Sequence, residues 1–288
     1  FQPFILVSVI TSAALIPILL TKKKPPNFKK ITGLSLKDLY NASPLGAVSS
    51  FFYGTIQSAL FTLIAVYATS MNFTILEISI VTFLLAVSGS IAQFPIGKLS
   101  DIYDRRKVLV ISSFGAALFA VISIIVSRQM YLPDGLATSK TLFYFFFILF
   151  SFCSLPMFSL ILAHTNDNIS KEKFVAAGAG LQFIFGLGAM SGPFLCSLFM
   201  DFVGPNGFFV FLFFFHSVIG FFGIYRMSVR KTIENPDSQF VAMPQTITPA
   251  GIELNPSTEH IEEPYSDKVK EILERKGVKY KKTESQTQ

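Results

Sequence analysis

The side chains that could do chemistry in this chain are few, and most stand apart from one another. His164, His216 and His260 are too far apart in sequence to offer metal-ligand spacing. Cys153 and Cys196 both lie within apolar runs, so neither a disulfide framework nor a metal site is expected, and no cofactor is implied. His216 sits midway along a Phe-rich stretch, where it is the candidate titrating group, although a packing role is the favoured reading. Tyr53 and Gln57 are four apart and share one helix face, and Tyr144 and Ser151 are seven apart and share another. Polar groups in an apolar run turn toward protein or water, so these four are candidates to line a cavity within the bundle. Interhelical hydrogen bonding is the competing role for each.

Two further patterns carry more information. The first is the run Gly97-Lys98-Leu99-Ser100-Asp101-Ile102-Tyr103-Asp104-Arg105-Arg106-Lys107. Gly97 would let two helices approach closely at a tight turn. Asp101 would accept backbone N–H bonds at a helix start, where the helix dipole favours an anion. Arg105 and Arg106 would fix positive charge on one side. A basic loop with a helix cap explains the same residues without function. The second pattern is Gly178, Gly180, Gly186, Gly188 and Gly192, followed by Pro193. Small residues four apart let membrane helices touch backbone to backbone, and Pro193 adds a candidate kink. A static packing seam and a moving hinge both fit.

The elements that would position these residues are apolar helices. Hydrophobic residues make up 51% of the chain and charged residues 15%, against the roughly 25% charge of an ordinary soluble domain. With 33 Phe, part of that surface must face lipid. Seven apolar stretches, 4–20, 45–70, 75–96, 108–127, 141–163, 174–199 and 207–225, reach or approach the length an α-helix needs to cross a bilayer. Glu77 is the one Asp, Glu, Lys or Arg inside them, near one end of its stretch. The spacing fits helices and not the short alternating strands of a barrel.

Basic residues set the orientation. Lys22, Lys23, Lys24, Lys29, Lys30 and Lys37 lie in one connection, Lys98, Arg105, Arg106 and Lys107 in another, and Lys171 and Lys173 in a third. Arg226, Arg230 and Lys231 follow the last stretch. The alternate connections hold only Arg128 and Lys140. The positive-inside rule puts the first set, and the carboxyl terminus, in the cytoplasm. The net charge of +6 is thus written as membrane topology and does not point to nucleic acid.

The long 21–44 connection, with Pro25 and Pro26 beside a lysine run, divides the stretches into one plus six. Residues 1–20 then read as the last helix of a preceding bundle, and 45–228 as a six-helix bundle. Since Phe1 already stands in an apolar run, the sequence reads as the later part of a longer protein. Residues 229–288 read as a cytoplasmic tail, largely extended, with a short amphipathic helix near 266–276.

The run GKLSDIYDRRK resembles the G-x-L-[SA]-D-x-x-[GD]-R-[RK] loop of major facilitator transporters, which follows the second helix of each bundle, as here. Ile102 replaces a frequent basic residue, and Asp104 replaces a frequent glycine. Ser43-Pro44-Leu45-Gly46, Gly192-Pro193, the run from Met200 to Gly207, and Phe240 to Pro244 with Glu253-Leu254 are similar to an uncharacterised bacterial branch of that class, the YcaD-like one.

The resemblance implies an all-α major facilitator fold covering the sixth to twelfth helices, in a bacterial inner membrane. It implies a small-molecule solute, protons as a candidate coupling ion, and the bundle preceding this one in the same chain as a partner. Asp101 and Arg105 would latch the cytoplasmic side against that bundle. In the family, the His216 position mostly faces lipid and the bundle flank. A membrane-embedded enzyme would need a motif such as His-Glu-x-x-His or an intramembrane Asp pair, and neither is present. A seven-helix receptor or channel subunit is suggested by helix count alone.

Overall fold

The computed structural model describes residues 2–13, 16, 33–129, 136–170 and 173–229. The lysine and proline run at 22–30 and the expected helix near 266–276 lie outside those residues. Nine helices are described: α1 (Gln2–Ala13), α2 (Leu36–Ala42), α3 (Pro44–Ser70), α4 (Ile75–Ile102), α5 (Arg105–Gln129), α6 (Leu136–Ser154), α7 (Met157–Asn166), α8 (Phe174–Val203) and α9 (Gly207–Val229). The segment 1–31, which holds α1, is a separate unit from the rest. Six crossings are long and apolar enough to span a membrane: α3, α4, α5, the stretch Ser139–Asn166, α8 and α9.

The helix starts are written in short polar signals. Ser43 caps α3 through its Oγ, 3.3 Å from the Gly46 N–H, and Pro44 follows at a position whose N–H would otherwise go unpaired. Thr74 and Glu77 form a reciprocal capping box at α4. The α3–α4 turn closes through Asn72 at φ 58, a left-handed conformation that Asn tolerates. Gly204, at φ 80, ends α8.

Packing in the bundle relies on close backbones and stacked rings. Gly188 and Gly192 of α8 lie directly on α3. A Cβ at Gly188 would strike the Phe51 carbonyl, and one at Gly192 would strike the Thr55 carbonyl. Gly54 of α3 returns the fit against the Phe185 carbonyl. Thr55 Oγ1 donates to the Gly188 carbonyl at 3.1 Å, and Ser50 Oγ donates to the Leu181 carbonyl at 2.8 Å. Between bilayer-soluble helices, such contact replaces the hydrophobic drive that water would supply. Elsewhere Tyr67 meets Phe143, Phe208 and Phe209 with ring centroids 6.0, 5.2 and 5.0 Å away. Phe143, Phe147 and Phe150 continue the stack along α6. Each such pair contributes about 0.5–1.5 kcal/mol beyond area burial.

The sequence predicts one unbroken helix over 141–163. The crossing is instead two helices that part at Leu155 and Pro156. Pro156 lacks the N–H that would satisfy the Phe152 carbonyl, and its ring crowds that carbonyl. Pro193, by contrast, stands inside an unbroken α8.

Candidate functional site

The Gly97–Lys107 run folds as a helix end, a two-residue turn and a helix start. α4 continues through Asp101 to Ile102, and the Tyr103 N–H still donates to the Leu99 carbonyl at 2.9 Å. Gly97 is buried within α4, and its carbonyl accepts from Ser100 Oγ at 2.8 Å. α5 starts at Arg105. Asp101 therefore sits in the last turn of a helix, and the expectation that it caps a helix start is corrected. Asp104 does that work: its Oδ1 accepts from the Arg106 N–H at 2.9 Å, and its carbonyl accepts from the Val108 N–H at 3.2 Å. The aspartate that departs from the usual glycine of the loop is thus the cap.

The two arginines do different things. Arg106 turns back on Asp104, with Nη2 2.8 Å from Oδ2. Arg105 reaches further. Its Nη2 lies 3.1 Å from Asp101 Oδ1, and its Nε lies 3.2 Å from Asp167 Oδ2, just beyond α7. The side chain is 7% exposed, so its charge is largely out of water and depends on these carboxylates. One guanidinium thereby ties the ends of α4, α5 and α7. Asp167 reads as a boundary residue in the sequence. The signal that could have found it is loop parity, which puts 164–173 on the same side as 97–107.

The other candidates lie inside the bundle. Tyr53 is fully buried, and its hydroxyl donates to the Leu155 carbonyl at 3.0 Å, at the α6–α7 break. Ser151 Oγ donates to the Phe147 carbonyl one turn back, at 2.8 Å. Tyr144 does not meet Ser151; its ring lies 6.2 Å from those of Phe73 and Phe143. Its hydroxyl has no hydrogen-bond partner among the described residues, and neither amide atom of the buried Gln57 has one.

His216 departs from its expected place. It is wholly buried and does not face lipid or the bundle flank. Nδ1 lies 2.8 Å from the Leu212 carbonyl, which can only accept, so Nδ1 carries the proton. In the neutral imidazole Nε2, 2.9 Å from Ser154 Oγ, accepts from that hydroxyl. Both ring nitrogens of a neutral imidazole are thus used in packing.

The Major Facilitator Superfamily profile matches residues 46–269 of the chain, which is more than half of it. The chain belongs to the major facilitator superfamily.

Curated relatives agree. An uncharacterized MFS-type transporter of Yersinia enterocolitica is 21% identical over 239 residues, covering 82% of this chain and 57% of the relative. The uncharacterized MFS-type transporter YfkF of Bacillus subtilis is 28% identical, over 55% of this chain and 39% of that protein. The uncharacterized MFS-type transporter YcaD of Escherichia fergusonii is 20% identical, over 71% and 50%. The chain thus spans about half the length of the curated relatives it matches. No solved structure matches.

As a major facilitator protein the chain is an all-α integral membrane protein. Among the described residues no three His, Cys, Asp or Glu side chains come together as a metal site. Cys153 and Cys196 are both free thiols. Gly188 and Gly192 lie in the α3–α8 seam, whereas Gly186 has open space around it, and Gly180 meets the Leu39 side chain of α2. The seam's third glycine, Gly54, lies in a run of small residues four apart, Gly46, Ser50, Gly54 and Ser58, which is the signal that could have found it.

Proposed function

We propose that this chain is the carboxyl-terminal part of a secondary active transporter that moves a small solute by alternating access between two helical bundles. In this reading 1–20 closes the preceding bundle, 21–44 is a cytoplasmic linker, 45–228 is the trailing bundle, and 229–288 is a cytoplasmic tail. The membrane is the bacterial inner membrane, and the chain carries out no catalysis.

The observation that carries the reading is the Asp101–Arg105–Asp167 chain of ion pairs. A bundle that rocks against another must move as one body, and this network joins three of its helix ends. The Asp101 side chain is also 36% exposed, so part of its carboxylate faces outward while Arg105 is enclosed. That is the placement required to meet a positive helix start on an opposing bundle. Gly97, Asp101, Arg105 and Arg106 accordingly form the cytoplasmic latch.

Gln57 and Tyr144 are among the buried polar groups that the bundle itself leaves without partners, as are Ser49 Oγ and Gln182 Oε1, and of the candidate pairs they are the favoured solute contacts. Tyr53 and Ser151 hold backbone carbonyls and play a supporting part. Gly188, Gly192 and Pro193 belong to packing that makes the bundle rigid. His216 is engaged at both nitrogens, so we place the coupling group of a proton-driven cycle in the preceding bundle.

The test is a solute screen with the full-length protein in sealed lipid vesicles, beside vesicles holding residues 1–288 alone. Flux with the full-length protein and none with 1–288 is expected. Flux through 1–288 alone contradicts the two-bundle account.

A further inference from the structure

The end of the bundle that carries Asp101 holds an excess of positive charge. The carboxylates of Asp101, Asp104 and Asp167 are all taken up by Arg105 and Arg106. Lys98 and Lys107, on either side of the α4–α5 turn, are exposed and make no ion pair among the described residues. Arg226, in the last turn of α9, makes none there either.

Helix packing brings that third cation to the same place. A Cβ on Gly220 would strike the Phe114 ring, and one on Gly223 would strike the Val110 side chain, so α9 runs antiparallel along α5. One turn further on, that register sets Arg226 level with Lys107. Leu99, Ile102 and Tyr103 are exposed beside the two lysines, so the surface offers apolar side chains among its cations.

α9 ends at this surface, and the chain that leaves it carries the opposite charge. Glu253, Glu259, Glu262, Glu263 and Asp267 lie in a stretch that contains no Lys or Arg. Leu254, Ile261 and Tyr265 are interleaved with them. Residues 230–252 can span roughly 75–80 Å at full extension, well beyond the width of a six-helix bundle with axes about 8–10 Å apart. A single exposed ion pair contributes little. A tether keeps the acidic stretch at high local concentration, so that several weak pairs form together.

We propose that residues 253–267 dock on the cationic surface formed by Lys98, Lys107 and Arg226, as a removable anionic cover over the turn that carries Asp101. The docking requires only that these helix ends and the tail share one side of the membrane, so it is independent of the alternating-access reading.

The test uses the full-length protein, one copy per lipid nanodisc of phosphatidylcholine and phosphatidylglycerol. Acetylation rates of Lys98 and Lys107 are followed by mass spectrometry. The comparison is a variant with Glu253→Gln, Glu259→Gln, Glu262→Gln, Glu263→Gln and Asp267→Asn, which leaves the bundle unaltered. Both lysines should react several-fold more slowly in the unsubstituted protein than in the variant, and high salt should abolish the difference. Zero-length carbodiimide cross-linking of the unsubstituted protein should join carboxylates of 253–267 to Lys98 or Lys107. Equal acetylation rates in the two proteins at low salt overturn the proposal, as do cross-links from 253–267 to other lysines alone. Slow acetylation in both proteins that rises when phosphatidylglycerol is withheld assigns the surface to lipid headgroups and also overturns it. No readout depends on flux, so failure here leaves the carrier reading standing.

Discussion

Arg105 Nε lies 3.2 Å from Asp167 Oδ2, joining the start of α5 to the end of α7. Both side chains are largely enclosed, so neither charge is well served by water. Asp167→Asn should lower the thermal midpoint of the purified full-length protein, with a cost of about 1–3 kcal/mol for the partner left poorly paired. Lys173→Gln, a neutralisation at the exposed start of the next helix, serves as the control and should leave the midpoint unchanged.

Asp104 separates cap from charge. Asp104→Asn keeps a capping oxygen and should be mild. Asp104→Ala removes both the cap and the Arg106 contact and should cost about 1 kcal/mol or more. Chemical denaturation of the two variants in detergent compares them. Equal stability of both variants contradicts the capping role.

Much of this was legible in advance, for physical reasons that differ by element. The six crossings begin and end close to the limits set by apolar length, because a bilayer imposes that length. The start of α3 is visible in Ser43-Pro44, since the cap is local in sequence. The helix break is not visible. Pro95 and Pro193 stand inside unbroken helices, so a proline in an apolar run does not by itself decide between kink and break. The Arg105–Asp167 and Lys140–Glu77 pairs join residues far apart in the chain, and no spacing rule reaches that far. For His216 the helix was evident, but its inward direction depends on Ser154 across the bundle.

The α3–α8 seam predicts opposite outcomes for two glycines six positions apart in chain order. Gly192→Leu should force the helices apart and cost about 1–3 kcal/mol, seen as a lower midpoint and a lower yield of folded protein. Gly186→Ala meets open space and should be neutral or stabilising by up to about 1 kcal/mol. Similar losses at both positions contradict the seam.

His216 and Ser154 should behave as one unit. Ser154→Ala and His216→Phe should each destabilise by about 1–3 kcal/mol through a buried polar group left unpaired. The double variant should cost less than the two losses together, and a double-mutant cycle on unfolding midpoints measures the difference. Strict additivity would show that the hydrogen bond contributes nothing.

Asp101 carries the central claim, because it alone of the latch carboxylates is both ion-paired within the bundle and partly on its surface. The most direct test is solute flux in vesicles holding equal amounts of inserted full-length protein, with and without Asp101→Asn. The account predicts flux lowered about tenfold, the effect of ~1.4 kcal/mol, with insertion unchanged. Normal flux in Asp101→Asn at equal insertion contradicts it.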